Sequence, residues 1–228
     1  MNNKITTILI DVDNTLLDFH LCAEDSIKRG FASWGMNYTD NVFAVFNEIN
    51  DSLWHRIEKG EITRDELFQM RWVMIFEKLG IDKPGYEFEK VFVANLADSA
   101  IPVEGANEIV EYLAGRYDLY VASNAIHRQQ IIRMTSAGMF PFIKDFFTSE
   151  KIGFTKPSRE YFDECFSRLD GVNKENVMII GDSLTADIKG GVDYGIKTCW
   201  FNFKGESHDI TLPCDYIVDS LYEIKNIL

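Results

Sequence analysis

Two aspartates, one residue apart, follow an apolar segment near the N-terminus of the chain. Asp11 and Asp13 come directly after residues 8–10, which are all aliphatic. Side chains alternate in direction along a β-strand, so the two carboxyl groups are expected to point to the same side. Two anions held together at the end of an apolar element repel each other and lose water, and a cation relieves both costs. The pair indicates a Mg²⁺ site, with a polar turn as the alternative, because Asp, Asn and Thr are common in turns.

Polar residues also follow two other apolar segments farther along the chain. Ser123 and Asn124 end one of them, and Asp182 ends another. Ligands bind outside the carboxyl ends of the strands in open parallel sheets, so these side chains are expected to converge on Asp11. Asp187 follows five residues after Asp182, at the start of a helix whose first turn would hold it nearby. Two alternatives remain: Ser123 could cap the following helix, and Asp187 could merely favour the positive end of its own helix.

A lysine precedes a predicted helix start in the same half of the chain. Lys156 stands before Pro157 and Ser158, and proline favours the first turn of a helix. From there the ammonium group could project across the strand ends as a fixed positive charge. The alternative is a solvated surface lysine.

The elements that must position these residues alternate between strand and helix. Continuous apolar segments predict strands at residues 8–10, 119–122, 146–149, 177–180, 198–201 and 216–218. Such segments separated by helices predict an α/β fold, with a doubly wound, mainly parallel sheet covered on both faces. Residues 1–17 and 99–228 are predicted to form this core. Residues 18–98 have helical periodicity without a convincing strand, which predicts a helical domain inserted after the first strand.

One helix of the inserted segment has clear start and stop signals. Thr63 and Glu66 fit a capping box, and Gly80 is a good C-terminal residue. The spacing of the apolar residues in this helix predicts a buried face, formed by Leu67, Met70, Val73 and Met74.

Composition and charge exclude several classes of partner. The 228 residues carry a formal net charge of -13, which argues against a nucleic-acid or anionic-membrane partner. No segment resembles a secretory signal or a membrane span. The four cysteines are widely separated and lack zinc-ligand spacing, so they are expected to be reduced packing residues. The chain is therefore predicted to be cytoplasmic, and its oligomeric state is left open.

The order of these motifs resembles that of the haloacid dehalogenase superfamily. Asp11 and Asp13, then Ser123, then Lys156, then Asp182 with Asp187, appear in the order that this family has. The helical segment between the first two motifs is similar to the family's small helical cap. The resemblance spans nearly the whole chain.

The resemblance implies a role for each of these residues. Asp11 would be the nucleophile that attacks phosphorus and becomes an aspartyl-phosphate, and Asp13 would be the general acid and base. Ser123, the backbone amide of Asn124, and Lys156 would bind the phosphoryl group. The resemblance also implies a Mg²⁺ site. Asp11, Asp182 and the backbone carbonyl of Asp13 would bind the ion directly, and Asp187 would bind it through water.

The same resemblance implies a substrate class and leaves alternatives. True dehalogenases usually lack an acidic residue at the position of Asp13, so phosphoryl transfer to water from a small phosphomonoester is favoured. Residues 50–54, 60–63 and 195–202 look like those of house-cleaning 5′-nucleotidases, which favour pyrimidine nucleoside monophosphates. A sugar or sialic-acid phosphatase, a phosphomutase and a non-catalytic binding protein are the alternatives.

Overall fold

The computed structural model describes residues 4–207 and 211–228, which form two compact units. One unit comprises the described residues up to Phe19 and from Ala100 onwards, and the other comprises His20–Ser99. The first unit contains the sheet and the second is helical. Each unit is described by itself below.

The predicted α/β fold with a parallel sheet is confirmed. Within the described residues, six strands pair in parallel in the order β3-β2-β1-β4-β5-β6. The strands are β1 (Thr7–Ile10), β2 (Asp118–Ser123), β3 (Phe146–Thr148), β4 (Val177–Gly181), β5 (Lys197–Phe201) and β6 (Tyr216–Val218). Ile10 at the end of β1 is aligned with Val121 of β2 and with Ile180 of β4. This register brings the carboxyl ends of the three central strands to one edge of the sheet.

The helices of the sheet unit occur between its strands, as expected from the sequence, whereas those of the helical unit follow one another without an intervening strand. They are α1 (Phe19–Ser33), α2 (Asp40–Glu58), α3 (Arg64–Leu79), α4 (Gly85–Ala97), α5 (Ala106–Ala114), α6 (His127–Ser136), α7 (Ser149–Ile152), α8 (Arg159–Ser167) and α9 (Lys189–Tyr194). Short 3₁₀ turns occur at Phe140–Phe142, Lys174–Asn176 and Leu221–Asn226.

The central strands are largely apolar because both of their faces are covered. Every residue of β1 and of β4 is buried. Ile8 and Ile10 belong to one hydrophobic cluster, whereas Leu9 belongs to another with Ile179. Alternate side chains of β1 therefore enter opposite layers, as strand geometry requires. The burial holds the ends of these strands rigidly in place.

The helical unit confirms the predicted start and end of α3, and of its predicted buried face it confirms Leu67, which is fully buried. The Thr63 hydroxyl accepts a hydrogen bond from the Glu66 amide, and the Glu66 carboxylate accepts one from the Thr63 amide. Gly80 follows the helix in the left-handed conformation, with φ of 67°. Val73 and Met74, which were expected in the core, are exposed.

Beside Leu67, the buried face of α3 is formed by Arg71, Ile75 and the two large aromatic residues Trp72 and Phe76. The Arg71 guanidinium pairs with the Glu89 carboxylate and donates to Asn50 Oδ1 at 2.9 Å. This buried network makes an arginine acceptable in the core, because each of its partners is also buried.

Among the residues that the structure describes, no helix combines the length and the apolar character needed to cross a membrane.

Candidate active site

The nucleophile predicted from the sequence, Asp11, lies at the carboxyl edge of the sheet. It follows β1 directly, and its amide donates to the carbonyl of Ile180 at 2.9 Å, so β4 fixes its backbone. Its side chain is buried, with 7% of the residue exposed. Ser123 at the end of β2 and Asp182 after β4 lie at the same edge.

Lys156 lies inside this group of residues, so the alternative of a solvated surface lysine is wrong. Its Nζ donates to Asp11 Oδ1 at 2.8 Å, to Asp187 Oδ1 at 2.6 Å and to the carbonyl oxygen of Ala122 at 2.5 Å. An ammonium group has three N–H bonds, and three acceptors face it. Burial alone would lower the pKa of Lys156, but the carboxylates of Asp11 and Asp187 raise it above its usual value. Lys156 is therefore a fixed positive charge.

The segment that carries Lys156 is held by a side chain from the end of β2. Asn124 Oδ1 accepts from the Lys156 amide at 2.8 Å, and Asn124 Nδ2 donates to the Lys156 carbonyl at 3.0 Å. The helix expected after Pro157 begins at Arg159, with Ser158 as its N-cap. Besides the backbone amide expected to face the phosphoryl group, Asn124 therefore contributes a side chain that holds the segment carrying Lys156.

Asp187 reaches Lys156 from an unusual turn. Leu184–Ile188 form a single turn of π-helix, where the sequence predicted the first turn of an α-helix. Such turns are rare and often occur at functional sites. The Ser183 hydroxyl accepts from the Ala186 amide, and Asp187 Oδ2 accepts from the Ser183 amide at 3.1 Å. Both carboxylate oxygens of Asp187 thus have partners, and the residue is almost fully buried.

Three carboxyl groups meet at this edge of the sheet. One oxygen from each of Asp11, Asp182 and Asp187 lies within 4.8 Å of the other two. Burial raises the pKa of Asp11 to about 7, with the Asp187 charge acting in the same direction and Lys156 opposing it. Burial raises the pKa of Asp182 well above its usual value, and the charges of Asp11 and Asp187 raise it further.

This donor set suits a hard divalent cation such as Mg²⁺. Three carboxylates face a single ammonium group, so the ionised site carries an excess of negative charge. Carboxylate oxygens are the ligands that Mg²⁺ prefers, and a cation would offset both the burial and the mutual repulsion that raise the pKa values of Asp11 and Asp182. The residues present therefore fit the ion, and Asp187 contributes to the cluster with its own carboxylate.

The side chain of Asp13 lies outside this cluster and binds helix α6. Arg133 donates from Nη1 to Asp13 Oδ1 at 2.5 Å, and Gln130 Nε2 donates to Asp13 Oδ2 at 2.6 Å. The two aspartates that the sequence placed on one side are thus held by different partners. The prediction that both carboxyl groups point to the same side assumed that the strand continues through them. β1 ends at Ile10, so strand alternation does not apply to Asp11 and Asp13.

Gln130 and Arg133 were not identified from the sequence. Both are polar, yet both lie on the buried face of α6 together with Met134. The signal that could have found them is a glutamine and an arginine three residues apart on the helix that follows Ser123, since such residues share a helix face.

Ser123 is oriented as a hydrogen-bond donor. Its Oγ accepts from the Ala125 amide at 3.2 Å and from Gln130 Nε2 at 3.1 Å. A hydroxyl oxygen has two lone pairs and one hydrogen. With both lone pairs used, the hydrogen is directed away from these donors and can bind an anion. The alternative role of Ser123 as a helix cap is wrong, because α6 has Ile126 at its N-cap.

Comparison with known proteins gives consistent results over most of the chain. A family model described as haloacid dehalogenase-like hydrolase matches residues 5–195. HAD-hydrolase YfnB from Bacillus subtilis is 35% identical over 99% of this chain and 96% of its own length. Pyrimidine 5′-nucleotidase PynA from Streptococcus pneumoniae is 32% identical over 97% of this chain and 96% of its own length. The crystal structure of YfnB bound to magnesium superimposes with a TM-score of 0.93, covering 99% of both chains.

Proposed function

Because the chain belongs to the haloacid dehalogenase-like hydrolase family, we propose that it is a Mg²⁺-dependent phosphomonoester hydrolase that acts through an aspartyl-phosphate. Pyrimidine nucleoside 5′-monophosphates are the proposed substrates. The observation that carries the proposal is the buried Lys156 ammonium group shared by Asp11 and Asp187. This ammonium group keeps a positive charge beside the buried carboxylate of Asp11, which an anionic phosphate must approach in the reaction.

In the proposed first step, a carboxylate oxygen of Asp11 attacks the phosphorus atom. The bond between phosphorus and the ester oxygen breaks, and the bonding electrons leave with that oxygen. The carboxyl group of Asp13 donates its proton to the departing oxygen, which gives the free alcohol. The products of this step are the aspartyl-phosphate on Asp11 and the carboxylate of Asp13.

In the proposed second step, water hydrolyses the aspartyl-phosphate. The water oxygen attacks phosphorus while Asp13 takes up one of its protons. The bond between phosphorus and Asp11 breaks, and its electrons return to the Asp11 carboxylate. Inorganic phosphate is released, and both aspartates recover their starting states.

The remaining residues offset the negative charge of the phosphoryl group. Lys156 faces the nucleophile, Ser123 donates its hydroxyl hydrogen, and the Asn124 amide is a further donor. Mg²⁺ held by Asp11, Asp182 and the Asp13 carbonyl, with Asp187 acting through water, would neutralise phosphoryl oxygens and orient them for attack. The YfnB structure contains magnesium, which supports this assignment.

The proposed substrate class is supported by one relative and by the resemblance of three segments of the chain to those of 5′-nucleotidases. PynA, which matches nearly the whole chain, is named for pyrimidine 5′-nucleotidase activity. We assign catalysis to the sheet unit and substrate selection to the helical unit. A sugar or sialic-acid phosphatase has the same catalytic residues and is the second candidate. A phosphomutase would require a bisphosphorylated activator and would release an isomer instead of phosphate.

We also propose that the protein is cytoplasmic. We expect its partners to be small phosphomonoesters, and we expect it to bind neither nucleic acid nor a membrane. All four cysteines are free thiols, which supports a reducing compartment.

A phosphate-release screen with the purified protein tests the proposal. Nucleoside 5′-monophosphates, sugar phosphates and sialic acid 9-phosphate are compared with Mg²⁺ and with EDTA. We expect the fastest release from pyrimidine nucleotides, dependent on Mg²⁺ and abolished by Asp11→Asn. Asp170→Asn, an exposed position in the same unit, is the matched control. Metal-dependent turnover by Asp11→Asn would rule out the nucleophile, and a sugar phosphate as the best substrate would favour the second candidate.

A further inference from the structure

Two buried side chains of α6 hold the carboxyl group of Asp13. Gln130 is fully buried and Arg133 is 1% exposed, whereas 27% of the Asp13 side chain is exposed. We propose that Gln130 and Arg133 are positioning residues that orient Asp13 for proton transfer, and that Gln130 also couples Asp13 to Ser123. This inference rests on the proposed function, in which Asp13 is the acid and base.

The two donors fix the rotation of the Asp13 carboxyl group. Arg133 binds Oδ1 and Gln130 binds Oδ2, so turning the carboxyl plane would break both hydrogen bonds. Each carboxylate oxygen has two lone-pair directions. The two donors use one direction on each oxygen, and the other direction remains for the transferred proton. The orientation is therefore fixed without blocking the chemistry.

Gln130 donates to two residues of the site at once. Its Nε2 lies 2.6 Å from Asp13 Oδ2 and 3.1 Å from Ser123 Oγ. An amide nitrogen has two N–H bonds, and one is available for each acceptor. Gln130 thus sets the spacing between the proton donor and the side chain that binds the phosphoryl group. It also uses a lone pair of Ser123, which directs the hydroxyl hydrogen outward.

The burial of Arg133 also indicates that its position is specific. Removing a guanidinium group from water is costly unless a partner compensates. Arg133 and Gln130 lie three residues apart, so they share one helix face, and that face meets Asp13. Arg133 also contacts Gln130 Oε1 at 3.3 Å, which fixes the orientation of the Gln130 amide.

Leaving-group chemistry separates this role from a merely structural one. Benzyl phosphate and p-nitrophenyl phosphate both carry one aromatic ring, but only the benzyl alkoxide needs protonation as it departs. General acid catalysis contributes about 10²–10⁴-fold. We therefore expect Arg133→Met and Gln130→Leu to lower kcat/KM by about 10²-fold for benzyl phosphate and by less than about 10-fold for p-nitrophenyl phosphate.

The second step gives an independent readout. Hydrolysis of the aspartyl-phosphate needs Asp13 as the base, whichever ester formed it. In both variants p-nitrophenyl phosphate should give a rapid burst of nitrophenol, followed by slow turnover as phosphoenzyme accumulates. Arg133→Lys, which keeps the charge, should recover part of the benzyl phosphate activity. Arg128→Met, at an exposed position of α6, is the matched control and should behave like the parent protein.

The outcomes distinguish this inference from the proposed function. Asp13→Asn is run in parallel: if it shows neither the leaving-group dependence nor the burst, the proposed function itself fails. If Asp13→Asn shows both and the α6 variants lose activity equally on the two esters, the inference is wrong and these residues only support the fold. Thermal unfolding checks that each variant is folded, and if Arg133→Met is not, Gln130→Leu alone decides.

Discussion

The carboxyl group of Asp187 lies directly against the Cα atom of Gly181. A Cβ atom at position 181 would lie 2.2 Å from Asp187 Oδ2 and 2.4 Å from its Cγ. No side chain can occupy that space while Asp187 stays where it is. The glycine at the end of β4 thus provides the room through which Asp187 reaches Lys156.

We expect Gly181→Ala to displace Asp187 and to lower activity strongly. A displacement of about 1 Å near the reacting atoms can cost about 10²-fold in rate, so kcat/KM for the best substrate should fall by about that factor. Gly115→Ala is the matched control, because its Cβ would meet the nearest atom at 3.6 Å, an ordinary contact. Full activity of Gly181→Ala, measured beside this control, would contradict the role assigned to the Asp187 position.

We expect Lys156→Met to destabilise the protein because it removes the cation between two buried carboxyl groups. Breaking a buried pair by removing one partner costs about 3–5 kcal/mol. Asp11 and Asp187 would then repel each other, and the loss should be smaller at about pH 5, where Asp11, whose pKa is raised to about 7, is protonated. Thermal unfolding in EDTA at two pH values measures both effects. Lys189→Met, which removes an exposed ion pair with Asp193, should change little.

The strands could be predicted closely from the sequence because burial on both faces makes the central ones largely apolar. The predicted segment 177–180 differs from β4 by one residue, and 216–218 matches β6. The convergence of polar residues then follows from the parallel register, since each stands at the end of such a strand. These predictions needed only local patterns and a general rule for α/β sheets.

The parts that could not be predicted depend on contacts between distant residues. Arg71 enters the core of the helical unit because Glu89, on another helix, compensates its charge. Arg133 is buried because it meets Asp13, 120 positions away. A periodicity argument assigns arginine to the surface and assigns Val73 to the core, so it fails at both places.

The stability of the metal-free protein should fall as the pH rises. Burial, together with the charges of Asp187 and Asp13 and against the opposing charge of Lys156, raises the pKa of Asp11 from its ordinary 3.8 to about 7. The folded state therefore binds this proton more tightly than the unfolded state, and its contribution is full below about pH 4 and is lost as the pH passes about 7. Melting temperatures in EDTA should decrease between these values.

The increase in melting temperature that Mg²⁺ produces should grow over the same range, because the ion replaces the proton. Asp11→Asn, which cannot ionise, should show a weaker pH dependence in EDTA. An equal effect of Mg²⁺ at about pH 5 and about pH 8 would argue against a metal site built on these carboxyl groups.

Asp182→Asn should stabilise the metal-free protein although it removes a residue proposed to bind Mg²⁺. The substitution keeps the shape of the side chain and removes one of three mutually repelling carboxylates. We expect a rise in melting temperature of about 2–4 °C in EDTA at neutral pH, which corresponds to roughly 1 kcal/mol for a chain of this size. Phosphate release and the response to Mg²⁺ should both be lost.

Asp187→Asn is the matched comparison: it weakens the pairing with Lys156, so its melting temperature should fall. If both variants are less stable than the parent protein in EDTA, repulsion within the cluster is not a significant cost, and the argument for a cation at this site loses its main physical support.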